Sequence, residues 1–78
     1  MKKFELQNLF YDLNYATGAE QQSQLQYIKD IIRDRWTTIK GPDRDTLVDI
    51  VIGDIDGGLL NKNIQQKALN ILDKHGLI

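Results

Sequence analysis

Cysteine is absent from the 78-residue chain, and serine, histidine, proline and tryptophan each occur once. Without cysteine, the chain has no disulfide and no thiolate zinc site. A single serine and a single histidine leave almost no material for a nucleophilic triad. We therefore expect no enzyme, no catalytic residue and no cofactor.

An excess of positive charge is also lacking. Ten Lys and Arg residues stand against eleven Asp and Glu residues, which gives a net charge of −1 and a pI near 5.6. General nucleic-acid binders and proteins of anionic membranes need a clear basic excess, so we expect neither as a partner. No apolar run approaches the roughly 20 residues of a membrane span, and the polar start does not resemble a signal peptide. These features predict a cytoplasmic protein.

Helical periodicity is present in four segments, and no strand pattern competes with it. The segments cover about residues 3–16, 18–39, 43–56 and 62–75, with turn-forming residues between them. Short connections favour antiparallel neighbours. The sequence therefore predicts one all-α domain over residues 1–78, built as a small four-helix bundle or a compact helical array.

Local signals place several helix ends. Thr17 and Glu20 have the spacing of a capping box, which predicts a tight corner before the second helix. Asn61 or Asn63 is expected to cap the fourth helix. Gly76 is expected to end that helix, after which Leu77 folds back onto its last turn.

The first predicted helix carries apolar residues on two opposite faces. One face is the aliphatic stripe expected to meet the core, and it includes Leu6, Leu9 and Leu13. The other face carries Phe4, Tyr11 and Tyr15. In one interpretation Tyr11 and Tyr15 flank the core, or Phe4 packs under the C-terminal residues Leu77 and Ile78. In the other, the three rings form an interface that a partner covers.

The third predicted helix is apolar over a wide arc and acidic over the rest. Its acidic row consists of Asp45, Asp49 and Asp56, with Ile52 beside them. Residues 41–58 hold one arginine and five aspartates, a net charge of −4. The wide arc predicts either the most buried helix or one that also meets a second chain.

Asp54 and Asp56 lie where the helix dipole opposes a negative charge. They are turn-formers, ion-pair partners or part of an acidic patch that meets a basic partner. The segment resembles the start of a calcium loop, but the sixth and twelfth loop positions would be Leu59 and Gln65 instead of glycine and an acid. We therefore predict no metal site.

Two side chains of mixed character remain. Arg35 falls in the apolar stripe of the second helix, so it either extends to the rim and pairs with a carboxylate such as Asp54, or forms a recognition surface with Trp36. His75 is expected on the inner side of the last helix, where its positive form suits the negative helix end.

A chain with surplus apolar surface and no catalytic residues is typical of a protein-interaction module. In length and predicted helix count it is similar to the small four-helix bacteriocin immunity proteins and to small phage accessory proteins, which implies a small regulator or inhibitor. The partner is another protein or a second copy, with no small-molecule substrate evident. The alternative is a DNA-binding regulator that uses helix 62–75. The predicted partner-binding residues are Phe4, Tyr11, Tyr15, Asp45, Asp49, Ile52 and Asp56.

Overall fold

The computed structural model describes residues 1–55 and 61–78, and within them every regular element is helical. The predicted all-α class is confirmed. The elements are α1 (Lys3–Tyr15), α2 (Gly18–Trp36), α3 (Pro42–Asp49), a π-helical turn (Ile50–Ile55) and α4 (Lys62–Lys74). None of these helices combines the length and the apolar character that crossing a membrane requires.

The helices enclose a single core. α1 packs on α2 and α4, α2 packs on α3 and the π-helical turn, and α4 closes the arrangement against α3. The Cα radius of gyration is 11.6 Å, close to the roughly 11.5 Å expected for a compact chain of this length. The buried apolar residues are Leu6, Phe10, Leu13, Ile28, Ile31, Ile32, Ile39, Leu47, Ile50, Val51, Ala68, Leu69, Ile71 and Leu72.

The corner between α1 and α2 is tight, as predicted, but the predicted capping box is wrong. The Thr17 side chain makes no cap hydrogen bond with any residue that the structure describes. Instead, Gly18 adopts a φ of 58°, a left-handed conformation that glycine accepts without steric cost. The Thr17 carbonyl then accepts a hydrogen bond from the Gln21 backbone amide at 3.4 Å. Glycine geometry forms this corner.

α2 ends at Trp36, three residues before its predicted end at Ile39. The hydroxyl groups of Thr37 and Thr38 donate hydrogen bonds to the carbonyls of Asp34 and Arg35, at 3.2 and 2.9 Å. Such bonds back to the preceding turn compete with regular helix geometry. Ile39 still reaches the core and is 1% exposed, so its predicted inward position is confirmed.

The third predicted helix, 43–56, is helical as far as it is described, but its winding changes within the segment. Gly41 caps α3 with a φ of 90°, Pro42 occupies its first turn, and the α-helix ends at Asp49. The chain continues as the π-helical turn, whose wider winding changes the side-chain phase. Ile50 is buried there, whereas Ile52 is 60% exposed. The predicted end of this helix, at Asp56, lies outside the described residues.

Both ends of α4 follow local chemistry. The Asn61 side chain accepts a hydrogen bond from the Ile64 backbone amide at 2.9 Å, which selects Asn61 over Asn63 as the cap. Gly76 has a φ of 70°, and the Leu77 amide donates to the Leu72 carbonyl at 2.9 Å. This is the predicted fold-back at the C-terminus, and Leu77 packs against the core.

Arg35 reaches the rim of the core, where its side chain is 19% exposed. Its guanidinium donates to the carbonyls of Leu77 and Ile31, both at 3.2 Å, and lies 3.5 Å from the Asp34 carboxylate. The side chain of the predicted partner Asp54 lies outside the described part of the chain. Arg35 thus ties the C-terminal segment to α2 mainly through carbonyl oxygens.

His75 lies on the surface and not on the inner side of the last helix, contrary to the prediction. Its Nε2 atom is 2.8 Å from Asp43 Oδ2, and Lys74 Nζ is 3.1 Å from the same oxygen. Hydrogen bonds from His75 and then Lys74 lower the pKa of Asp43 below its ordinary value. The acid at the start of α3 attracts His75 outward and links α3 to the end of α4.

Candidate protein-binding surface on the first helix

The three predicted aromatic residues of α1 lie together on its outer face. Phe4, Tyr11 and Tyr15 are 57%, 62% and 72% exposed. The alternative in which Phe4 is packed under the C-terminal residues is therefore wrong. On the opposite face, Leu6 and Leu13 are buried at 0% and 2% exposure. α1 is an apolar helix that the rest of the described chain covers on one side only.

Tyr11 and Tyr15 form a pair on this face. They are one helical turn apart, their ring centroids are separated by 4.9 Å, and the ring planes are tilted by 49°. The side-chain hydrogen bond to Tyr15 raises the pKa of Tyr11 above its ordinary value. Tyr11 therefore stays neutral at physiological pH, and the two rings restrict each other's motion before any partner arrives.

A hollow of about 250 Å³ separates the aromatic face from α4. Its wall includes the hydrogen bond from Gln65 Nε2 to Asn14 Oδ1, at 2.7 Å, and Gln65 is only 6% exposed. This hydrogen bond joins the buried Gln65 of α4 to the exposed Asn14 of α1 and so links the two helices. The lining residues are Gln7, Phe10, Tyr11, Asn14, Lys62, Gln65, Gln66 and Leu69.

A second hollow, of about 340 Å³, lies between the aromatic face and α2. It is lined by Tyr11, Asp12, Tyr15, Ala16, Glu20 and Gln24, so its charged residues are acidic. Tyr11 and Tyr15 belong to its wall, and Tyr11 also borders the first hollow. The rings therefore form a ridge with a depression on each side.

The sequence reasoning missed Tyr27, which is 51% exposed on α2. Tyr27 follows Glu20 by seven residues and therefore lies on the same side of the helix as this wall of the second hollow. A signal was present in the sequence, because Tyr27 falls outside the apolar stripe of its helix. Tyr27 is thus a further exposed aromatic ring, on the side of α2 that carries Glu20.

The chemistry of this surface suits binding to another protein. Exposed aromatic rings and amides dominate it, and protein interfaces are enriched in Tyr, Trp and Phe and depleted of charge at their centre. Nothing at the ridge resembles a reaction centre: His75 pairs with Asp43 elsewhere. Within residues 1–55 and 61–78, no group of three metal-binding side chains is close enough to hold an ion.

The acidic row of the third segment forms a separate exposed surface. Asp45 and Asp49 are exposed on α3, and Ile52 is exposed on the π-helical turn. Asp56, the last member of the predicted set, lies outside the described residues. The predicted partner-binding residues are therefore divided between an aromatic ridge on α1 and an acidic surface on the third segment.

Helix 62–75 was predicted to be the DNA-reading element of the alternative function. Lys62 and Lys67 are exposed on α4. Gln65 is buried and bonded to Asn14, and Gln66 donates to Asn70 at 2.8 Å. Several of the amides that would contact base edges are therefore engaged within the protein.

Comparison with known proteins adds no relative. No protein-family model, no curated protein and no solved structure matches this chain. What the protein binds must therefore be inferred from the chemistry of its own surface.

Proposed function

We propose that the protein is a non-enzymatic protein-interaction module that binds its partner through the aromatic ridge of α1. The observation that supports this proposal is the exposure of Phe4, Tyr11 and Tyr15 on a single 13-residue helix. Apolar area in contact with water is unfavourable, and a partner that covers it recovers that free energy.

The size of the exposed surface agrees with this function. An aromatic side chain can bury about 150–250 Å². The exposed fractions of the three rings therefore leave roughly 400 Å² open, which is in the range of functional patches on monomeric proteins. Isolated surface aromatics need no explanation, but a contiguous ridge between two hollows does.

A helical module with an exposed aromatic face acts by occupying a surface of its partner. The role that fits is a small regulator, inhibitor or immunity-type accessory protein of bacterial or phage kind. The acidic surface of Asp45, Asp49 and Ile52 is a second candidate contact, which suits a basic partner.

A photocrosslinking experiment tests the proposal. A benzophenone amino acid replaces Tyr15 in one variant and Arg33, an exposed residue on α2, in a matched control. We expect a discrete crosslinked protein from position 15 and none from position 33. The same replacement at Ile52 tests the acidic surface. Equal labelling at positions 15 and 33, or no labelled product at position 15, would overturn the assignment of the ridge.

DNA binding through α4 is the rival function, because Lys62 and Lys67 remain exposed. Binding through lysine–phosphate contacts strengthens as salt is lowered. A duplex shift at low salt that is lost in the Lys62→Ala, Lys67→Ala variant would favour this rival. We expect no shift, and the tyrosine variants serve as the control for an unrelated surface.

A further inference from the structure

The outer face of α1 has the spacing of a coiled-coil seam. Phe4, Asn8, Tyr11 and Tyr15 follow one another at intervals of four, three and four residues. All four are exposed. A repeat of this kind keeps one face against a neighbouring helix along its length. A helix of a partner can therefore pack along this face.

The two edges of this seam differ in charge. On the α2 side, the hollow is lined by Asp12 and Glu20, and on the α4 side it is lined by Lys62. Among the described residues, no acidic side chain lines the first hollow and no basic one lines the second. The seam therefore has an acidic edge and a basic edge.

The symmetry of a dimer determines whether two such faces pair with their helices parallel or antiparallel. When two copies pair with their α1 helices parallel, the twofold axis runs along the helices, and the acidic edge of each copy faces the basic edge of the other. When the helices are antiparallel, edges of like charge meet. The face is therefore complementary to itself in the parallel arrangement only.

Asn8 has the position that sets register in such pairs. It lies in the middle of the seam, between Phe4 and Tyr11. Within the described part of the chain, its side chain has no hydrogen-bond partner. A single asparagine at the corresponding position of two-stranded coiled coils favours the parallel dimer, because the two amides bond to each other.

We propose that the partner of the aromatic ridge is a second copy of this chain, paired through parallel α1 helices with the two Asn8 side chains in contact. This inference rests on the proposed function and names its partner. With Tyr27 included, the four rings leave roughly 500 Å² open per copy, against the about 800 Å² per partner of a standard interface. We therefore expect a dimer that dissociates on dilution in the micromolar range.

The absence of cysteine makes a direct orientation test possible. In the parallel dimer, Phe4→Cys meets the same position of the other copy and forms a disulfide-linked dimer on mild oxidation. In an antiparallel dimer the two positions would be about 16 Å apart, too far for a disulfide. Arg33→Cys, outside the seam, is the control and should stay monomeric. Crosslinking in a mixture of Phe4→Cys and Tyr15→Cys, but not in Phe4→Cys alone, would overturn the parallel arrangement.

Charge reversal tests the edges independently and leaves the rings intact. We expect Asp12→Lys and Lys62→Glu each to weaken dimerisation about two- to fivefold, and the double variant to recover most of the loss. Independent losses without recovery would overturn the assignment of these edges.

The mass of the wild type in solution distinguishes a failure of this inference from a failure of the proposed function. A monomer at every concentration would overturn the second copy as partner, while a discrete crosslink from position 15 to a foreign protein would leave the proposed function standing. A dimer unaffected by Tyr11→Ala, Tyr15→Ala would overturn both.

Discussion

The inner and outer faces of α1 both carry apolar side chains. They differ in solvent exposure, because the inner face is buried and the outer face is open to water. Leu6, on the inner face, is 0% exposed beneath α2 and α4, whereas Phe4, two residues earlier, is 57% exposed. The buried residues of the inner face are Leu6, Phe10 and Leu13, which are all apolar. The outer face has tyrosines, whose rings bury well and whose hydroxyls remain compatible with water. The difference is consistent with the proposal that the outer face is free in the monomer and covered in a complex.

The largest expected effect is a difference in the free energy of unfolding between substitutions on the inner face and on the outer face. Leu6→Ala should lower the free energy of unfolding by about 2–5 kcal/mol, because it leaves a cavity in the core. Phe4→Ala should change it by less than about 0.5 kcal/mol, because its ring meets solvent. Urea unfolding followed by the fluorescence of Trp36, at concentrations too low for dimers, provides the measurement. Comparable losses in the two variants would contradict the division into covered and open faces.

A smaller effect concerns the wall of the hollow between α1 and α4. Gln65→Ala removes the buried partner of Asn14 and should cost about 1–3 kcal/mol of unfolding free energy. The matched control is Gln66→Ala, whose exposed bond to Asn70 should be worth less than about 0.5 kcal/mol. The same unfolding assay compares the two. A loss at Gln65 no larger than that at Gln66 would mean that the amide pair does not hold the helices together.

The contact between Asp43, His75 and Lys74 predicts a dependence of stability on acid. The folded-state pKa of Asp43 lies below its unfolded value, so its contribution is fully present above the unfolded pKa and is lost as the pH falls through the folded pKa. This occurs in the acidic range, below about pH 4. Thermal melts between neutral and acidic pH should show a shallower loss in Asp43→Asn than in the wild type, with Asp45→Asn as the control. An identical pH profile in Asp43→Asn and wild type would refute the contact.

The smallest expected effect concerns the ridge itself. Tyr15→Phe removes the hydroxyl that bonds to Tyr11, so the pKa of Tyr11 should fall toward its ordinary value while the ring surface remains. Titration of tyrosinate absorbance measures the change. Tyr27→Phe lowers the number of titrating phenols equally and should leave Tyr11 unaltered. An unchanged Tyr11 titration in Tyr15→Phe would show that the two hydroxyls do not interact.

Local rules predicted much of this fold. The bounds of α1 and α4 were placed to within a residue, because Asn61 and Gly76 determine the ends of α4 through contacts a few residues away. The change from α-helical to π-helical geometry after Asp49 was not predicted. A π-helical turn depends on how Ile50 and Val51 reach a core formed by distant segments. The outward position of His75 likewise depends on Asp43, 32 residues earlier.

The candidate site was predicted only as one of two alternatives. The spacing of Phe4, Tyr11 and Tyr15 shows that they share a face, and this follows from the helix period alone. Whether another helix of the same chain covers that face depends on tertiary packing. The spacing of residues in the sequence gives no information about that packing. Tyr27 was missed for a related reason, because its relation to the ridge exists only after α1 and α2 have packed.

The central claim is that the aromatic ridge lies outside the core and serves association. Sedimentation equilibrium over a range of concentrations tests it most directly, with the wild type beside Tyr11→Ala, Tyr15→Ala. The account predicts a wild-type mass that rises from 9.0 kDa toward twice that value, and a double variant that remains at 9.0 kDa with an unchanged helical circular-dichroism signal. A double variant that unfolds, or that associates as strongly as the wild type, would contradict it.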